Sequence, residues 1–223
     1  MDTTKNDAPI ARPMFIMALI YGGMTVIAGV LAYKQVQLWP TDLAVEAGIF
    51  AFLLLVVISS TVAQLYGRAM ANRLVWWGFL PLLLSAALMT LVLQLPASTE
   101  MVDFRGEDLA AFERVHNQLW RVMLAGPAAY IVSLLLNVWI FDRLRGDGSG
   151  DANTFGLMLR GGIASALSQA VDSVIFITLA FYGEFDITNL LIGQVIAKVV
   201  LSFVFVPPLI ALAVKLARRS DAA

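Results

Sequence analysis

Six long apolar runs separated by short polar connections set the pattern of this chain. They fall at about 14–32, 44–65, 74–95, 121–141, 160–182 and 187–216. Each approaches the roughly 20 residues that a helix needs to cross the hydrocarbon core of a bilayer. The first run holds Gly22, Gly23 and Gly29, and the second has Glu46 near its start and Ser60 and Gln64 near its end. The last contains Lys198 and a Pro207-Pro208 step, which predicts a kink or break. Trp39 and Pro40 suit an interfacial turn after the first run. The segment 96–120 is the longest polar stretch, and its part 106–119 has the composition of a helix lying outside the membrane. Residues 142–157, rich in Gly and Asp, read as a flexible loop.

Composition strengthens this picture. The chain is 60% hydrophobic and 14% charged, with a mean hydropathy of +0.81. A soluble domain carries more charge and less apolar content. The expected fold class is an all-α integral membrane protein, six transmembrane helices in one bundle over 14–216, with a polar lead 1–13 and a tail 217–223. An even number of crossings puts both termini on one side. That side would hold Lys5, Arg12, Arg68, Arg73, Arg143, Arg145, Arg160, Lys215, Arg218 and Arg219, against Lys34, Arg105, Arg114 and Arg121 on the other. The bias of Lys and Arg toward cytoplasmic loops then predicts both termini in the cytoplasm. The lead lacks a small-residue cleavage site, so no removable signal peptide is expected. No internal repeat stands out.

Charge and cysteine narrow the chemistry. A net charge of -1 offers no basic surface for nucleic acid. The chain has no cysteine, and its single histidine is His116. Disulfides and thiolate metal sites are therefore excluded, and no metal site or cofactor is expected. No nucleophile–base pair or phosphate loop is visible, so the pattern does not read as an enzyme.

The polar residues inside the apolar runs carry the functional signal. Asp172 lies near the middle of the fifth run, where a charge costs about 3 kcal/mol or more. Ser165, Gln169, Asp172, Ser173 and Phe176 fall at helical spacing on one face. Two readings of Asp172 stand side by side: a carboxylate that binds a ligand, or an ion pair with Lys198 that locks two helices. Gln194, Lys198 and Ser202 form a polar stripe on the sixth run, and pairing with Asp172 is the least costly arrangement for the ammonium. On the fourth run Gly126, Tyr130, Ser133 and Asn137 share a face. Asn137 reads equally as a ligand contact or as a bond to another helix. Arg121, at the end of that run, binds substrate or holds the outer mouth, and Ser60 with Gln64 suit bonds between helices. The five tryptophans sit mostly at span boundaries, as an aromatic belt. Trp120 and Trp139 are the better candidates for stacking on a flat ligand.

At these residues the chain resembles the queuosine precursor transporter family, also called the vitamin uptake transporter family. The stretches that carry the resemblance are Arg121 with Ala129-Tyr130 and Asn137-Val138-Trp139-Ile140-Phe141; Arg160 with Ser165, Gln169, Asp172-Ser173, Phe176 and Ala180-Phe181-Tyr182-Gly183; and Gln194, Lys198 and Pro208. Tyr66-Gly67 and Lys34 also fit. The resemblance is dense in the second half and loose in the first. It implies a six-helix bacterial inner-membrane importer of the bases 7-cyano-7-deazaguanine and 7-aminomethyl-7-deazaguanine, which feed queuosine synthesis in tRNA. A deazaguanine presents a ring N–H beside an exocyclic amine, and a carboxylate accepts both at once. Asp172 is the expected partner, with Gln169, Asn137 or Lys198 at the ring carbonyl and Arg121, Ser173 and Trp139 also at the site. The base would bind between the fourth, fifth and sixth helices. Two other readings remain open: a substrate-binding subunit of an energy-coupling factor transporter, and a membrane scaffold. The partners expected are the small molecule and the lipid bilayer, and a homodimer stays open.

Overall fold

A computed structural model describes residues 11–145 and 154–221. Most of the polar lead, the centre of the 142–157 loop and the last two residues lie outside the described residues, as do the side chains of Asn137, Arg160 and Ser165. The described chain is almost wholly helical: α1 Arg12–Leu31, α2 Gly48–Tyr66, α3 Arg68–Leu93, α4 Thr99–Arg145, α5 Thr154–Phe181, α6 Thr188–Val204 and α7 Val206–Asp221. Between α1 and α2 runs a small antiparallel hairpin, β1 Gln35–Gln37 and β2 Ala44–Glu46, with Val36 opposite Val45.

The hairpin corrects one expectation. Residues 44–46 do not begin the second helix; they are a strand, and the helix starts at Gly48. Strands of three residues are too short for alternation to reveal them. Two other boundaries also differ. The polar stretch before the fourth run is continuous with it in the single helix α4, interrupted where Arg105 leaves helical geometry (φ -137°, ψ 30°). The last run breaks at Phe205, just before the two prolines, into α6 and α7.

Helices α1, α2 and α3 are each long and apolar enough to cross a membrane, and α6 with α7 form a bent pair, 47° apart, that meets the same test together. Large apolar side chains such as Phe15, Leu19, Leu84, Leu88 and Leu135 face outward. In water that surface would be a liability; against lipid it is the normal exterior. Backbone hydrogen bonds are closed within the helices, as a bilayer demands.

Small residues set how close the elements come. Gly78 of α3 lies against the ring of Tyr21 of α1, and the Thr25 hydroxyl donates to the Gly78 carbonyl at 3.0 Å. Gly193 of α6 faces the Ala44 backbone so closely that a methyl group there would overlap the carbonyl oxygen. The hairpin is therefore seated on α6. Gly67, at φ +85°, turns the chain from α2 directly into α3, a conformation open to glycine without strain. At the start of α6, Asp186 accepts the Thr188 N–H at 3.0 Å and the Thr188 hydroxyl at 2.7 Å. Those bonds hold its exposed carboxyl below the usual carboxylate range, the backbone N–H first and the hydroxyl second.

Candidate functional site

The polar stripe of α6 organises the interior. Gln194, Lys198 and Ser202 are one helical turn apart and point along one face. Each meets a different partner. The Lys198 Nζ donates to Asp172 Oδ2 of α5 at 2.5 Å. The Ser202 hydroxyl donates to Gln169 Oε1 at 2.9 Å. Gln194, wholly buried, donates from Nε2 to Glu46 Oε1 of β2 at 2.7 Å and accepts the Glu46 N–H at 3.2 Å. A single helix face thus binds both α5 and the hairpin.

Asp172 and Lys198 are buried, at 9% and 5% exposure. Two isolated charges would not survive there; paired, each offsets part of the other's desolvation. The second oxygen of Asp172, Oδ1, has the Ser133 hydroxyl at 3.3 Å, which also lies 3.0 Å from the Tyr130 carbonyl. Lys198 sits 4.7 Å from the ring centre of Phe52 and 6.0 Å from that of Phe176. An ammonium over aromatic faces gains further electrostatic stabilisation.

These groups form part of the wall of a cavity of about 160 Å³. Its apolar walls come from α1, α2, α3 and α4, with Tyr21, Phe79 and Tyr130 among them, and Phe52 and Phe176 stand beside Lys198. Asp172, Lys198 and Glu46 are its charged groups among the described residues. Flat rings beside a few converging polar groups are the usual make-up of a small-molecule site.

The sequence expectations divide against this geometry. Asp172 and Lys198 line the cavity and are paired. Gln169 and Ser173 lie on the same helix but outside the cavity wall; Gln169 is bonded to Ser202, and the fully buried Ser173 hydroxyl donates to the Gln169 carbonyl. Arg121 is not at the cavity. It donates to Glu184 Oε1 at 2.9 Å and to the Tyr182 carbonyl at 3.0 Å, tying α4 to the turn after α5. Trp139 is 64% exposed and faces outward, and Trp120 is also exposed, so neither stacks in the cavity. The rings that line it beside Lys198 are those of Phe52 and Phe176. The Asn137 side chain lies outside the described residues.

The cavity is also broader than expected. It is not confined to the fourth, fifth and sixth helices; α1, α2, α3 and the hairpin supply most of its wall. Glu46 is the residue that sequence reasoning missed. At the start of an apolar run a carboxylate reads as interfacial, yet Glu46 is 4% exposed and lines the cavity.

Known proteins agree with a membrane carrier. The family model described as "Putative vitamin uptake transporter" matches residues 46–212. Over 190 residues the chain is 28% identical to the "Probable queuosine precursor transporter" of Bacillus subtilis (strain 168), an overlap covering 83% of this chain and 78% of that protein. No solved structure matches.

Proposed function

This chain belongs to the vitamin uptake transporter family, and on that premise we propose that it imports a queuosine precursor, 7-cyano-7-deazaguanine or 7-aminomethyl-7-deazaguanine, across a bacterial inner membrane. The observation that carries this reading is the Asp172–Lys198 pair in the wall of an otherwise apolar, aromatic-lined cavity. The relative in Bacillus subtilis supports the substrate class.

In the resting arrangement Lys198 occupies Asp172 Oδ2. An entering deazaguanine offers its ring N–H and exocyclic amine as two parallel donors, and Asp172 accepts both. Lys198, displaced from the carboxylate, turns to the ring carbonyl. Phe52 and Phe176, already beside the ammonium, take the faces of the base. An analogue without these edge groups cannot replace Lys198 at the carboxylate, so displacing the ammonium would leave both charges unpaired, which makes such a site selective.

In this reading the chain crosses six times, by α1, α2, α3, the second part of α4, α5 and the bent pair α6–α7, and the distribution of Lys and Arg supports both termini in the cytoplasm. The experiment is uptake of labelled base into cells expressing Asp172→Ala. Abolished uptake with normal membrane expression supports the reading; uptake at the wild-type rate refutes it.

A further inference from the structure

The cavity contains a second carboxylate whose role the pairing of Asp172 with Lys198 does not explain. Glu46 Oε1 is held by the Gln194 amide at 2.7 Å, while Oε2 is buried and has no hydrogen-bond partner among the described residues. Native structures rarely leave a buried carboxylate oxygen unmatched, because the loss of its water is not offset. The side chain is also unusually well fixed. Its own N–H is bonded back to Gln194, and Gly193, the residue before, is the one against which the Ala44 backbone is seated. Gly48 packs directly against Oε2 and the Ala28 carbonyl, where a Cβ would overlap both. This is a placed acceptor: the Gly48 and Ile49 N–H groups at the start of α2 act on the carboxyl, and no donor bonds Oε2 within hydrogen-bond geometry among the described residues.

The charge inventory gives the class of partner. With Asp172, Glu46 and Lys198 all ionised, Lys198 offsets one of the two carboxylates, and the described cavity wall carries one negative charge in excess. A ligand that brings a cation into this space removes that imbalance; a neutral ligand does not. We infer that Glu46 Oε2 is a second anchoring point of the cavity, which receives a protonated primary amine carried by the planar ligand away from the edge that meets Asp172. The inference rests on the transporter reading above. It predicts which of the two bases the protein prefers: the one with an aminomethyl substituent rather than a cyano group.

The test measures binding of both bases to the purified full chain in detergent, by calorimetry, for wild type and Glu46→Gln. Gln keeps the bond to Gln194 but removes the charge. Wild type is expected to hold 7-aminomethyl-7-deazaguanine roughly tenfold or more tighter than the cyano base, the worth of a charge-assisted hydrogen bond. In Glu46→Gln the two affinities are expected to converge, through weaker binding of the aminomethyl base. Equal affinities in wild type, or a preference for the cyano base, overturn the inference and leave the transporter reading intact; so does a preference that persists in Glu46→Gln. Wild-type protein that binds neither base overturns both. Where Glu46→Gln does not fold, Glu46→Asp replaces it: withdrawing the carboxylate by one methylene is expected to shrink the preference, and an unchanged preference overturns the inference.

Discussion

Glu46 and Gln194 exchange two hydrogen bonds across 148 residues of chain. One runs from each residue to the other, so the hairpin is locked to α6 by a closed, buried contact. Gln194→Leu keeps the volume and removes both partners at once. Leaving a buried carboxylate and a buried N–H unmatched costs about 1–3 kcal/mol per group. The variant should lose thermal stability in detergent, and adding substrate should restore less of it than in wild type.

Asp172 and Lys198 should be more sensitive singly than together. Removing one partner of a buried pair leaves an uncompensated charge, at a cost of about 3–5 kcal/mol, whereas replacing both with uncharged groups is often neutral. Lys198→Met should therefore be poorly folded. Asp172→Asn with Lys198→Met should regain much of the stability and still fail to transport. A double variant as active as wild type would remove the pair from the mechanism.

The seat of the hairpin makes Gly193 a sharp test of packing. Alanine there meets the Ala44 carbonyl, and such overpacking costs about 1–3 kcal/mol. Gly23 has no neighbour within 4 Å of an added methyl group. Gly23→Ala should be neutral or stabilising by up to about 1 kcal/mol through helix propensity. Unfolding midpoints of the two variants should move in opposite directions.

Arg121 ties α4 to the turn after α5 and is not among the residues that line the cavity. Its pair with Glu184 is partly exposed, with side chains at 26% and 34%, so solvent screening limits its worth to about 1 kcal/mol or less. Arg121→Ala should lower stability slightly and leave substrate affinity within about threefold of wild type, a shift below that of one lost hydrogen bond. A loss of affinity as large as that of an Asp172 variant would place Arg121 in the site instead.

The purified chain alone in liposomes should carry the base inward. Failure of that assay, with binding retained, would point to an ATP-driven partner, the energy-coupling factor arrangement.

Much of this architecture can be read from residue order, for reasons that also mark where reading stops. An acid and an ammonium inside apolar runs are costly, so Asp172 and Lys198 announce themselves and their pairing. Pro207-Pro208 likewise announces the break between α6 and α7, since proline cannot complete helical hydrogen bonds. Glu46 gives no such signal. Its importance comes from a contact with Gln194 on a distant helix, and from a hairpin whose strands are too short to show periodicity. Trp139 and Arg121 mislead for a related reason. Spacing tells which residues share a helix face, but not whether that face meets a cavity, a loop or lipid.

The central claim is that the buried carboxylate of Asp172 holds the base. Its most direct test is calorimetric titration of 7-aminomethyl-7-deazaguanine into purified wild-type protein and into Asp172→Asn, with folding of both checked by circular dichroism. Saturable binding to wild type and at least roughly hundredfold weaker binding to the folded variant is the predicted result, the cost of losing a bidentate charged contact. Equal affinity in the two proteins, or no binding to wild type, would contradict it.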